Sequence, residues 1–98
     1  MADQTDLVMF VLIARIPAEG IEDFRAYEAA VLPLLSEFNG HLERRLRNLN
    51  GTVEVHIVSF ASEADFQNYR NDPRRMAPAG LLERSSATLE LLPMANVS

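Results

Sequence analysis

The sequence has no cysteine, no lysine and no tryptophan among its 98 residues. Without cysteine, thiolate catalysis, disulfides and thiolate metal sites are excluded. Without lysine, no Schiff base can form on a side chain of this protein, and every basic residue is an arginine. Positive charge is also scarce: fourteen acidic residues against nine basic ones leave a net charge of −5. Phosphate binding needs a basic surface, so nucleic acid is not an expected partner. Long apolar runs are missing too. The longest, Leu7–Ala14, is too short to span a bilayer, and its N-terminal flank carries Asp3 and Asp6 in place of the positive residues of a signal peptide. No membrane association is expected, and the expected location is cytoplasmic.

The remaining composition, 48% hydrophobic and 23% charged, is that of ordinary globular material. It predicts a single domain over residues 1–98, with Met1–Asp6 loose. Leu7–Ile16 is rich in β-branched and aromatic residues and runs into Pro17, which suits a buried strand. Ile21 to Phe38 carries Ile21, Phe24, Val31, Leu34, Leu35 and Phe38 at three- and four-residue spacing, an amphipathic helix with Glu22, Arg25 and Glu28 outside the stripe. Pro33 within it predicts a kink or two shorter helices. Asn39-Gly40 supplies a left-handed stop. His41–Asn48 and Thr52–Phe60 read as strands joined at Asn50-Gly51, a type I′ hairpin signal. Ser62-Glu-Ala-Asp65 opens a second helix with a capping-box pattern. Asp72-Pro73 reads as a further helix start limited by Pro78 and Gly80. Ser86–Leu92 is the last strand, stopped by Pro93.

The order β-α-β-β-α-β, under the right-handed crossover rule, is a ferredoxin-like α+β fold. It predicts a four-stranded antiparallel sheet with strands one and three central and helices on one face. The charged strand His41–Asn48 falls at an edge, where charge discourages aggregation. Both faces of Leu7–Ile16 are apolar, yet only two helical segments are evident. The second sheet face therefore calls for another apolar surface, most simply a second copy of the chain.

A two-residue loop at Asn50-Gly51 pairs Leu49 with Thr52, Arg47 with Glu54, Arg45 with His56 and Glu43 with Val58 on one face. Leu46/Val55, Arg44/Ile57 and Leu42/Ser59 share the other. The second set is mostly apolar and suits the helices. The first is mixed, as a dimer interface, a ligand cleft or a salt-bridged solvent face would be.

The layout resembles the dimeric α+β barrel superfamily over roughly Leu7 to Leu92. Phe24-Arg-Ala-Tyr27, Val31-Leu-Pro33, Phe38-Asn-Gly40, Val58-Ser-Phe60 leading into Ser62-Glu63, and Tyr69 with Asp72-Pro73 carry the resemblance. That group includes antibiotic-biosynthesis monooxygenase-like proteins, NIPSNAP-like proteins and small domain families of unknown function. The resemblance implies two sheets packed face to face in a homodimer. It also implies ligands held between sheet and helices or at the barrel mouth. Activities in the group are diverse, so fold does not decide function. The Asn/Trp/His set of its haem-degrading members is missing here, as is a histidine followed five residues later by an aspartate.

His56 is the best single candidate for a catalytic base, on a central strand with Arg45 opposite, a neighbour that lowers a histidine pKa. The plainer reading is a neutral histidine hydrogen-bonded in the dimer interface. Arg45, Glu54, Tyr27 and Arg15 are candidate ligand-binding residues. Arg47–Glu54 also reads as an exposed cross-strand pair, Tyr27 as packing, and Arg15 as a snorkelling surface residue. His41 and His56, with Glu43 or Glu54, stand in distant cross-strand positions, so no metal site is expected. No cofactor is expected. The function these features imply is binding of a small apolar or aromatic metabolite without a clear catalytic set. The alternative is a cofactor-independent monooxygenase-like or isomerase-like enzyme.

Overall fold

The computed structural model describes residues 7–97; the expectation of a loose Met1–Asp6 lies outside the described residues. Strands β1 (Val8–Arg15), β2 (Gly40–Arg47), β3 (Val53–Phe60) and β4 (Thr88–Met94) form one antiparallel sheet in the order β2-β3-β1-β4. The two most apolar strands are central, as the ferredoxin-like arrangement requires.

Helix α1 (Ile21–Val31) ends at the turn before Pro33, and Leu32–Phe38 continues as a tighter 3-10 segment with the proline in its first turn. There the missing amide costs nothing, because the first donors of a helix have no internal partner. Asn39 then adopts φ 55° and turns the chain into β2. Helix α2 (Glu63–Arg70) is capped by Ser62, whose hydroxyl accepts from the Asp65 amide at 3.1 Å. Asp72 caps the short α3 (Pro73–Met76) by accepting from the Arg74 amide at 2.8 Å.

Five expectations need correction. A further helix, α4 (Ala79–Ser85), contains Gly80 and packs on α1. The helical cover is thus larger than two segments. The last strand runs on through Pro93, which pairs with Phe10. An edge strand tolerates a proline because its outward amide has no ladder partner to lose.

The hairpin is not a type I′ turn, since Gly51 has φ 81° but Asn50 is not in the positive-φ region. Instead Gly51 donates to the Asn48 carbonyl, the Asn48 amide donates to the Val53 carbonyl, and the Asn50 side chain accepts from the Thr52 amide. The register beyond it is nevertheless the expected one, Arg47 with Glu54 and Arg45 with His56.

That register holds only as far as Arg44. A bulge between Leu42 and Arg44 leaves Glu43 without a partner, pairs Leu42 with Val58, and sets His41 against Ser59. The extra residue returns Leu42 to the core, where it packs with Phe60 and its neighbours.

The last correction concerns the faces. The helices cover the face that carries Glu54 and His56, both 1% exposed, and not the more apolar one. The core on this face is in two parts. Phe10, Leu34, Leu35, Phe60, Phe66 and Tyr69 form one cluster; Ala14, Ile16 and Phe24 form the other. Between Phe10 and Ala14 on β1 lies Leu12, paired with His56. The polar row therefore crosses the sheet where the core is divided. The opposite face presents Met9, Val11 and Ile13, paired in register with Ser59, Ile57 and Val55.

Candidate functional site

Glu54 is the anchor of the polar row. Arg45 donates to it through Nε at 2.8 Å and Nη2 at 3.3 Å, and Arg47 through Nε at 2.8 Å. Both arginines come from β2 at alternate positions, so they share a face. Burial alone would raise the Glu54 pKa, but the hydrogen bonds from Arg45, His56 and Arg47 outweigh it and hold the carboxyl at about 2. Glu54 is therefore a carboxylate, and its Oε1 lies 2.8 Å from His56 Nε2. An ionised carboxylate can only accept, so the hydrogen-bond network assigns the His56 proton to Nε2.

The other ring nitrogen faces α1. His56 Nδ1 lies 3.3 Å from Glu28 Oε2, and both side chains are almost wholly buried. Burial lowers the His56 pKa, the Glu54 carboxylate opposes that, and Arg45 and Arg47 add to it. The ring is neutral at neutral pH, with Nδ1 bare. Glu28 has the reverse problem from Glu54. Burial raises its pKa to about 7, only partly offset by Arg45, while Glu54 pushes it further up and Arg75 pulls it down. Glu28 Oε2 has no hydrogen-bond partner among the described residues. The result is a chain of groups poised for proton movement near neutrality: a fixed anion, an oriented imidazole and a carboxyl that exchanges its proton around pH 7.

This chain opens on a cavity of about 270 Å³ between the sheet and the helices. Apolar side chains from β1, α1, β3, α2 and β4 line it, with Glu28, His56, Tyr27, Tyr69, Arg70 and Arg75 as the residues with polar groups. Arg75 Nη2 donates to the Tyr27 hydroxyl at 3.2 Å, and the guanidinium carbon sits 4.6 Å from the centre of the Tyr69 ring. Burial raises the Tyr69 pKa, so that hydroxyl stays protonated.

Of the residues singled out from sequence, the structure joins Arg45, Glu54 and His56 in one network, and His56 and Tyr27 line this space. Arg15 is elsewhere, exposed and ion-paired to Glu90 at 3.3 Å. His56 is not on the uncovered sheet face, so the interface reading of this residue does not hold. His41 pairs with Glu43 at 3.8 Å near the far end of β2. Glu28 was missed. Placed outside the apolar stripe from sequence, it is in fact buried: it follows Phe24 by four positions and precedes Val31 by three, and an acid at such a spacing signals a buried carboxyl.

Glu28, Glu54 and His56 each present a donor atom, all within 4.8 Å of one another, the geometry of a metal triad. The donor chemistry does not fit a cation. Both Glu54 oxygens are held by guanidinium groups, His56 Nε2 carries a proton, and Arg45, Arg47 and Arg75 repel positive charge.

No family model matches the chain, and no curated protein matches it in sequence. Its fold is shared with solved structures. A protein from Bacteroides thetaiotaomicron assigned as an antibiotic biosynthesis monooxygenase superposes with a TM-score of 0.78 at 14% identity, over 95% of this chain and 91% of the other. SnoaB, a cofactor-independent oxygenase from Streptomyces nogalater, gives 0.70 at 18% identity, over 94% and 96%. A NIPSNAP family protein of unknown function from Agrobacterium tumefaciens gives 0.65 at 16% identity, over 96% and 93%. These are the groups that the sequence motifs resemble. Among the described residues, no helix is long and apolar enough to cross a membrane.

Proposed function

We propose that this protein binds a small, largely apolar metabolite in the cavity under its helices and exchanges a proton with it through Glu28 and His56. The observation that carries this reading is the buried Glu54–His56–Glu28 chain ending at the wall of an apolar space. A volume of about 270 Å³ is slightly below the range of roughly 300–1,000 Å³ typical of drug-sized ligands. It suits one or two fused rings. In the deprotonated form Glu28 takes a proton from an acidic C–H or O–H of the ligand. His56 Nδ1 steadies the protonated carboxyl, and Glu54 holds the imidazole in the correct tautomer. Return of the proton at a different atom is isomerisation. Reaction of the deprotonated ligand with dioxygen is oxygenation, the activity in the name of the Streptomyces nogalater protein. No residue of this chain needs a cofactor for the proton step.

The same reading includes a homodimer. Val11, Ile13, Val55 and Ile57 lie in register on a sheet face without helices, and Leu92 is paired with Val11 beside them. A second copy placed face to face would cover this surface, with about 800 Å² per partner as the scale of a stable interface.

The test uses 1-tetralone, an apolar bicyclic ketone, in heavy water. Wild-type protein should speed exchange of the hydrogens next to the carbonyl, and Glu28→Gln and His56→Phe should not. Binding of 1-tetralone without exchange would leave a binding protein with no part in proton transfer. Neither binding nor exchange would sink the reading.

A further inference from the structure

The two buried side-chain polar atoms without a hydrogen-bond partner among the described residues are Glu28 Oε2 and Arg75 Nε. Glu28 and Arg75 line the same cavity. An unpaired buried polar atom is costly, and one beside an empty space is satisfied by whatever fills that space. Glu28 Oε2 at least has His56 Nδ1 close by. Arg75 Nε has nothing.

Arg75 is held in a definite pose. Its Nη1 reaches the Arg70 carbonyl at 3.4 Å, its Nη2 reaches the Tyr27 hydroxyl at 3.2 Å, and its guanidinium lies over the Tyr69 ring. No carboxylate among the described residues pairs with it. Arg45 and Arg47 share the Glu54 carboxylate and Arg74 takes both Asp72 and Glu37, whereas Arg75, like Arg70 over the Phe66 ring, has only neutral partners. The Tyr27 hydroxyl, which accepts from Arg75, keeps its own proton free to donate. Two donors thus belong to side chains of the wall, the buried and unpaired Arg75 Nε–H and the Tyr27 O–H, one of them cationic. A donor pair of this kind matches a carboxylate, and charge-assisted hydrogen bonds in a desolvated place are the strong ones.

The geometry points to a ligand that is an apolar or aromatic monocarboxylate, with its carboxylate on Arg75 Nε and the Tyr27 hydroxyl and its ring system against Leu12, Val58 and Phe66. This rests on the cavity being a binding site, as proposed above, and adds the charge of what it binds. The ligand carboxylate would neutralise a cation of the cavity wall that has no anion among the described residues. The proton-accepting Glu28 would then face the body of the molecule.

Calorimetric titration with 2-naphthoate and with the neutral, nearly isosteric 2-naphthamide tests it. Wild-type protein should bind the naphthoate at least about tenfold more tightly, the scale of one charge-assisted hydrogen bond. Arg75→Gln should erase that preference, with a wild-type-like near-ultraviolet spectrum showing that the variant is folded. If Arg75→Gln fails to fold, Tyr27→Phe removes the second donor, keeps the guanidinium charge while taking away its Nη2 acceptor, and should reduce the preference several-fold. Equal affinities in the wild type, or a preference that survives Arg75→Gln or Tyr27→Phe, would overturn the carboxylate inference and leave the cavity reading intact. Failure of both compounds to bind would remove the cavity reading and this inference with it.

Discussion

Glu28 and His56, contributed by α1 and β3, meet at 3.3 Å in the interior with neither exposed to solvent. The contact joins a carboxyl whose pKa is pushed up to about 7 to an imidazole whose pKa is pushed down. Burial drives both shifts in the direction that favours the neutral form. The pair thus enters the neutral pH range as acid and bare base, with the proton held on Glu28 beside Nδ1.

Glu28 makes stability depend on pH. Its folded pKa of about 7 is above the ordinary value of 4.5, so the folded protein holds the proton more tightly than the unfolded chain. The associated stability is complete below about pH 4.5 and is lost as pH rises through 7, on the order of 3 kcal/mol. The groups that face Glu28 are Arg45 on β2, Glu54 and His56 on β3, Tyr69 on α2 and Arg75 on α3. Glu28→Gln should flatten the fall in melting temperature between pH 5 and 8 and raise the value at pH 8. An unchanged slope would mean that Glu28 titrates normally.

His56 should be the Nε2–H tautomer at pH 7, with a pKa below 6.5. Long-range nitrogen–proton correlation spectra report which ring nitrogen carries the proton. A protonated Nδ1 at pH 7 would contradict the assignment and break the proposed proton path. His56→Ala removes the hydrogen bond to buried Glu54 and should lower stability by about 1–3 kcal/mol.

Gly20 precedes α1 where a Cβ would overlap the Ser85 carbonyl at the end of α4. The obstacle is backbone, and Ser85 is buried, with its hydroxyl bonded to the Leu82 carbonyl at 2.6 Å. Neither side can move without disturbing the second core cluster. Gly20→Ala should therefore cost about 1–3 kcal/mol by chemical denaturation, the range for overpacking. A neutral substitution would show that α4 is free to shift.

Ile57 lies on the uncovered sheet face, opposite Val11 on one side and Arg44 on the other. If that face is the contact between two copies, Val11→Asp should convert a dimer to a monomer in sedimentation velocity, because a carboxylate buried there between Ile57 and Leu92 has no partner. The helix-covered face should keep its fold, so near-ultraviolet signals from Tyr27 and Tyr69 should persist. A wild-type protein that sediments as a monomer at micromolar concentration would remove the interface altogether.

The sequence by itself determined what short-range forces control. Ser62 and Asp72 cap where their side chains can reach an amide two or three residues on. Pro33 and Asn39 end their segments by backbone sterics. Alternation along β2 and β3 placed Arg45, Arg47, Glu54 and His56 on one side of the sheet. Alternation says which residues share a face and is silent on which face is up. Both faces carry apolar residues, and the mixed one suited an interface, a ligand cleft or a solvent face equally, while the Arg47–Glu54 pair read as exposed because paired charges mostly are.

Only the tertiary structure decided that the helices cover the charged face. That outcome is stable because partners from separate elements neutralise each buried charge: two guanidiniums from β2 and a histidine proton on Glu54, and protonation of Glu28 itself. The Glu43 bulge was equally hidden, since it follows from the fit of Leu42 into the aromatic core and not from any turn signal. Desolvation of a carboxyl depends on everything packed around it, and for Glu28 that includes strands encoded after the helix that carries it.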